Sequence, residues 1–195
     1  FRSHLQATAH QRGQLRLGAA RGRDDRRDVR HLEELLSEPS PAAIDAMRHV
    51  KTPVKLVLVG RGPDERSLRW RIRSHGVEDK VRLEVGVSDD RLHDLYRGAL
   101  GVFFGPYDED YGYVTIEAFA AARPVVTLTD SGGPLEFVRD AESGLVTEPA
   151  PKAIAEAFDR LWSDRRSAQA WGLEGNRLVR ETVPGWPQVI ERLLG

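Results

Sequence analysis

The richest stretch of potential chemistry is Tyr107-Asp108-Glu109-Asp110-Tyr111-Gly112-Tyr113-Val114-Thr115-Ile116-Glu117. Three successive acids run into Gly112, where the pattern predicts the start of a helix. A helix start presents unpaired N–H groups and the positive end of the helix dipole, which suits a phosphate. Glu117 falls more than one turn inside that helix, flanked by Ile116, Ala118 and Phe119. A carboxylate on an apolar helix face needs a reason, and accepting hydrogen bonds from ligand hydroxyls is one. The local alternative is that the acids only cap the helix.

Two further loops carry glycine where a ligand would need close approach. Gly60-Arg61-Gly62-Pro63 directly follows an apolar run. It is not a dinucleotide fingerprint, because Glu65 stands where the third glycine belongs. No Gly-Lys-Ser/Thr follows to make it a P-loop. A tight strand-to-helix turn explains it equally well on local grounds. Thr129-Asp130-Ser131-Gly132-Gly133-Pro134 is a second glycine-rich loop opening a short helix, compatible with an anion but also with ordinary turn punctuation. The six histidines show no metal-type spacing, fall in none of these loops and read as surface residues. With no cysteine, disulfides, Cys-based zinc sites and thiol nucleophiles are excluded.

These loops need elements to hold them. Val54 to Val59 reads as a buried strand closed by Gly60. Asp64 to His75 reads as a helix with Gly76 as its C-cap, and Val81 to Val85 as a strand. Asp89 to Arg97 is a predicted helix, N-capped by Ser88, with Leu92, Leu95 and Tyr96 as its apolar stripe. Then come a strand over Leu100 to Phe104, a helix over Tyr113 to Ala122, and strands at Pro124 to Leu128 and Leu145-Val146. Helices fill Lys152 to Trp162, Arg166 to Arg180 and Pro187 to Leu194, with Trp162, Trp171 and Trp186 packing there. Repeated strand–helix–strand units predict an α/β fold: a Rossmann-like parallel sheet with helices on both faces. In such sheets ligands bind beyond the carboxyl ends of the strands, at the topological switch point.

Residues 1–41 differ. Residues 1–31 are dense in Arg and Asp with sparse apolar positions, which reads as a disordered or weakly helical extension, or else a basic arm. His31 to Leu36 reads as a short helix ended by Pro39-Ser40-Pro41, with Pro41 opening the next helix. The fold proper is expected over 42–195. With 29 Lys and Arg against 30 Asp and Glu in 195 residues, a nucleic-acid-coating role is disfavoured. No apolar run approaches a membrane span, and Phe1-Arg2-Ser3-His4 begins no signal-type stretch. The expectation is a fragment or processed product in the cytoplasm, with or without peripheral attachment at a membrane.

The Glu109-x7-Glu117 segment, followed by Ala118-Phe119-Ala120-Ala121-Ala122-Arg123-Pro124-Val125-Val126, resembles the C-terminal nucleotide-sugar-binding lobe of retaining glycosyltransferases of family 4, which have the GT-B fold. Leu56 to Pro63, Val81 to Gly86, Ser131 to Glu136 and Ser143 to Val146 occur in the family's order. The resemblance implies that Glu117 binds the ribose hydroxyls of a nucleotide sugar and that Glu109 acts at the transferred sugar. It implies that the amides of Gly112, Tyr113 and Val114 hold the diphosphate. Gly60, Gly62, the Gly86-Val87-Ser88 loop, Gly132 and Gly133 would line the pocket. It further implies transfer with retention and without a metal or other cofactor, from a UDP-, GDP- or ADP-linked sugar. The acceptor, a sugar or a lipid, would come through an N-terminal lobe that this sequence lacks, leaving the chain alone incomplete and inactive. No nucleic-acid partner is implied. The family's Arg and Lys before the helix at Ala42 have no counterpart, since Glu33 to Ala46 contains neither. Alternatives in view are a non-catalytic nucleotide-sugar-binding fragment, a GT-B-like sugar-nucleotide epimerase, and a metal-dependent transferase using Asp108-Glu109-Asp110.

Overall fold

The computed structural model describes residues 34–38, 40–60 and 63–182. The expectations for residues 1–33, Gly62, Trp186 and the helix at Pro187 to Leu194 lie outside the described residues. Six strands form one sheet: β1 (Glu34–Ser37), β2 (Lys55–Gly60), β3 (Val81–Val85), β4 (Gly101–Phe103), β5 (Val125–Leu128) and β6 (Gly144–Thr147). Between and after them run α1 (Pro41–Met47), α2 (Glu65–His75), α3 (Asp89–Gly98), α4 (Tyr113–Ala120), α5 (Pro134–Phe137), α6 (Pro151–Ser163) and α7 (Arg165–Thr182). The spatial order is β3-β2-β1-β4-β5-β6, and every pairing between neighbouring strands is parallel. This is the doubly wound order, in which the winding reverses between β1 and β4.

A strand covered on both faces buries every side chain, so it reads as a continuous apolar run. Alternate residues then divide between two cores. Leu35, Leu56, Leu58, Phe103, Val126 and Leu128 face α1, α2 and α6. Leu36, Val57, Val59, Val102 and Val125 face α3, α4 and α7. Trp171 is buried in the first core and Trp162 packs against it.

One expectation is overturned. Glu34–Ser37 is a strand, not part of a helix over His31 to Leu36, and it takes a central place in the sheet. Leu35 lies opposite Leu56 of β2 and Gly101 of β4. Leu35 and Leu36 go to opposite cores, which only the two-residue period of a strand allows. Pro39 and Pro41 end a strand as readily as a helix. Ser40 then N-caps α1 by accepting from the Ala43 amide at 3.3 Å, with Pro41 in its first turn. Ser88 caps α3 in the same way, accepting from the Arg91 amide at 3.2 Å. The three described histidines, His49, His75 and His93, which the sequence reads as surface residues, are instead half-buried, with His75 Nε2 2.8 Å from Asp45 Oδ1 across the α1–α2 contact.

Candidate functional site

Because all six strands run the same way, the loops after β1, β2, β3, β4 and β5 open at one end of the sheet. The β4–α4 loop lies at the switch point and holds the acidic run. Glu109 is exposed there, as are Asp108 and Asp110. The loop is tied to the β5–α5 loop: the Asp108 amide donates to Asp130 O at 3.0 Å, the Glu109 amide to Ser131 O at 3.0 Å, and the Gly133 amide to Glu109 O at 2.7 Å. Glu109 and Gly132 pair as an isolated parallel bridge. Thr127 Oγ1 supports the same corner by donating to Phe104 O at 2.8 Å.

Gly132 and Gly133 therefore have an intramolecular reason to be glycine. Gly132 has φ +73°, and a Cβ there would lie 2.7 Å from Glu109 O. A Cβ on Gly133 would meet Asp110 O at 2.6 Å. Both let one loop lie flat on the other and set the height of Glu109. Neither feature requires a ligand.

Gly112 is the N-cap of α4, left-handed at φ 75°. Its missing Cβ would stand 2.8 Å from the Pro134 ring and 3.2 Å from Phe104, so the helix start is wedged against α5 and the end of β4. Among the described residues, no carbonyl accepts from the amides of Gly112, Tyr113 or Val114. These are the free donors that a helix start must offer to a side chain, water or ligand. The rings of Tyr111 and Tyr113, at this helix start, are 5.1 Å apart, and Tyr107 of the same loop is 80% exposed.

Glu117 lies about 6 Å further along α4. It is half-buried, and its Oε2 accepts from the hydroxyl of Tyr96 on α3 at 2.9 Å. The sequence carries no signal for this contact, because the ring of Tyr96 completes the apolar stripe of α3. Arg123 ties the same two helices by donating to Arg97 O at the end of α3. Burial lowers the guanidinium's proton affinity below its ordinary value.

The remaining residues are at the same end of the sheet but further off. Gly60 closes β2, and Gly86, at φ 69°, follows β3. With strands about 4.8 Å apart, β3 stands roughly 14 Å from β4. At the end of β1 stands Glu38, and no Lys or Arg lies between Glu33 and Ala46. The described positive end of the site is thus main chain, the start of α4. Among the described residues no three His, Asp or Glu side chains gather within metal-ligating reach, and no helix is long and apolar enough to cross a membrane.

Residues 41–177 match the family model described as glycosyl transferases group 1. The chain is 25% identical over 114 residues to alpha-1,3/1,6-mannosyltransferase ALG2 of Dictyostelium discoideum, covering 58% of this chain and 27% of that one. It is 33% identical over 146 residues to a GDP-mannose-dependent alpha-(1-6)-phosphatidylinositol monomannoside mannosyltransferase of Mycobacterium tuberculosis, covering 70% and 37%. The crystal structure of Anabaena HepE in complex with UDP superposes with a TM-score of 0.74 at 20% identity, covering 84% of this chain and 49% of that one. The chain thus matches about a quarter to a third of the length of these mannosyltransferases and about half of the solved one. The structural neighbours are glycosyltransferases of the GT-B fold, whose Rossmann-like sheet this chain shares. The family match runs from the first described helix into the last, taking in β2 to β6 but not β1, and the chain belongs to the glycosyl transferases group 1 family.

Proposed function

We propose that this chain is the donor-binding lobe of a retaining, metal-independent glycosyltransferase of family 4, taking a nucleotide sugar. The observation that carries the reading is the start of α4 at the β1/β4 switch point, its amides unpaired among the described residues and Glu117 one turn behind them. Anionic diphosphate at that start would accept from the amides of Gly112, Tyr113 and Val114 and be favoured by the dipole. Glu117 would accept from the ribose hydroxyls. Glu109, raised by the Gly132-Gly133 loop, would meet hydroxyls of the transferred sugar. The span from β4 to the Gly86 loop is the reach of a nucleotide rather than of a phosphate alone, which suits a base lying toward β2 and β3.

Transfer would then depend on charge stabilisation of the departing diphosphate by fixed main-chain donors, and on alignment with an acceptor sugar or lipid held by a second lobe. Of the three proteins named above, one is a GDP-mannose-dependent enzyme and another was solved with UDP. The base is therefore a matter for measurement. A thermal-shift panel of UDP-, GDP- and ADP-sugars tests the reading. At least one class should raise the unfolding midpoint in a concentration-dependent way, because a ligand of the native state stabilises it by mass action. No shift with any of them at millimolar concentration overturns it.

A further inference from the structure

We infer that Tyr96 is a positioning residue for the ribose contact: its hydroxyl fixes Glu117 through Oε2 and presents Oε1 to the nucleotide. The inference rests on the proposed role of Glu117 as the ribose acceptor. Tyr96 is 6% exposed and its ring belongs to the core between α3 and the sheet. Its Oη lies 2.9 Å from Glu117 Oε2, on a helix 21 residues away in sequence. Among the described residues Oε1 has no protein partner.

A free glutamate on a helix samples several rotamers, and ordering it on binding costs affinity. A buried phenol cannot follow it, because the ring is held on all sides. Hence the hydrogen bond selects the rotamer before the ligand arrives. Two further contacts keep the donor helix in place. Arg123 grips its carboxyl end at Arg97 O, and near its start Arg91 holds Glu84 of β3 at 2.9 Å. The start of α3 is also the end of the Gly86-Val87-Ser88 loop, so one helix connects the base side of the pocket to the ribose side. Apolar stripe residues need no hydroxyl; phenylalanine would fill the same space.

The test uses the full chain and whichever of UDP, GDP or ADP binds most tightly, with the matching 2′,3′-dideoxynucleoside diphosphate as the probe that lacks the diol. Wild type should bind the ribonucleotide more tightly than the dideoxy form. Tyr96→Phe should lower ribonucleotide affinity about three- to tenfold, the size of one hydrogen bond, and leave dideoxy affinity unchanged. In a Glu117→Gln background Tyr96→Phe should add little. Unchanged ribonucleotide affinity in Tyr96→Phe, or an equal loss for both nucleotides, overturns the inference while leaving Glu117 as the ribose contact. Equal wild-type affinity for the two nucleotides overturns the ribose reading of Glu117, and the inference falls with it.

Discussion

Glu117 occupies a helix position whose neighbours Ala118 and Phe119 are fully buried, and it is held there by a single phenol. Truncation to alanine would strand the Tyr96 hydroxyl inside the core and confuse a binding effect with a folding one. Glutamine keeps an acceptor for Tyr96 and removes the charge. Glu117→Gln should therefore cost on the order of 1.5–3 kcal/mol in nucleotide binding, with the unfolding midpoint almost unmoved. Titration calorimetry beside a thermal melt reads both. Glu117, Gly112 and Glu109 stand out as candidates in the sequence because a carboxylate on an apolar face, a glycine at a helix start and an acidic loop each contradict their surroundings. Tyr96 did not contradict anything. Its ring fits an apolar stripe, and only the fold brings its hydroxyl to Glu117. Gly132 and Gly133 were legible as glycines but not for their reason, which is contact with the backbone of Glu109 and Asp110.

At the scale of elements, the two loops over the switch point act as one unit. Gly132→Ala should force a left-handed side chain against Glu109 O and cost about 2–4 kcal/mol. If the loops are coupled as described, nucleotide-sugar affinity should fall more than nucleotide affinity, because Glu109 moves with its support. Comparing titrations of the two ligands checks this. A second element-scale contact is Glu84 of β3, which receives Arg91 at 2.9 Å and Arg82 at 3.0 Å. The Arg91 hydrogen bond above all holds its carboxyl below the ordinary carboxylate range. Its stabilisation is thus complete above the ordinary carboxylate value and fades as pH falls through the lowered one. Both arginines are half-exposed, so the contact contributes no more than about 1 kcal/mol. Glu84→Gln should flatten the acid side of the stability profile by that amount, measured by denaturant melts across pH. Most elements were readable from period and caps; β1 was not. It is four residues long, Glu-Leu-Leu-Ser, without a β-branched side chain. Its identity comes from β2 and β4 on either side, which no local pattern reports.

For the whole molecule, the proposed reading makes this chain the donor side of a larger enzyme, and its match covers about a third of the length of the mycobacterial relative. On that account the 195-residue chain should bind a nucleotide sugar and release sugar only by slow hydrolysis, since aligning donor with acceptor can be worth roughly 7–11 kcal/mol of barrier. Labelled donor incubated with a mixed sugar and lipid acceptor pool reads this directly, and robust transfer would show that the acceptor side is also encoded here. The order β3-β2-β1-β4-β5-β6 could not be read along the chain, because it depends on which strand the crossover after β3 returns to. The candidate loops could nonetheless be placed together at one end of the sheet from the sequence, since parallel strands leave no other choice.

On the proposed reading, the start of α4 and Glu117 form one site for a nucleoside diphosphate. The most direct test of that reading is calorimetric titration of the chain with UDP, GDP and ADP and with the corresponding nucleosides, on wild type and Glu117→Gln. One diphosphate should bind with one-to-one stoichiometry, its nucleoside should bind much more weakly, and Glu117→Gln should lose about tenfold or more of the diphosphate affinity. A folded Glu117→Gln protein that binds the diphosphate as tightly as wild type would contradict it.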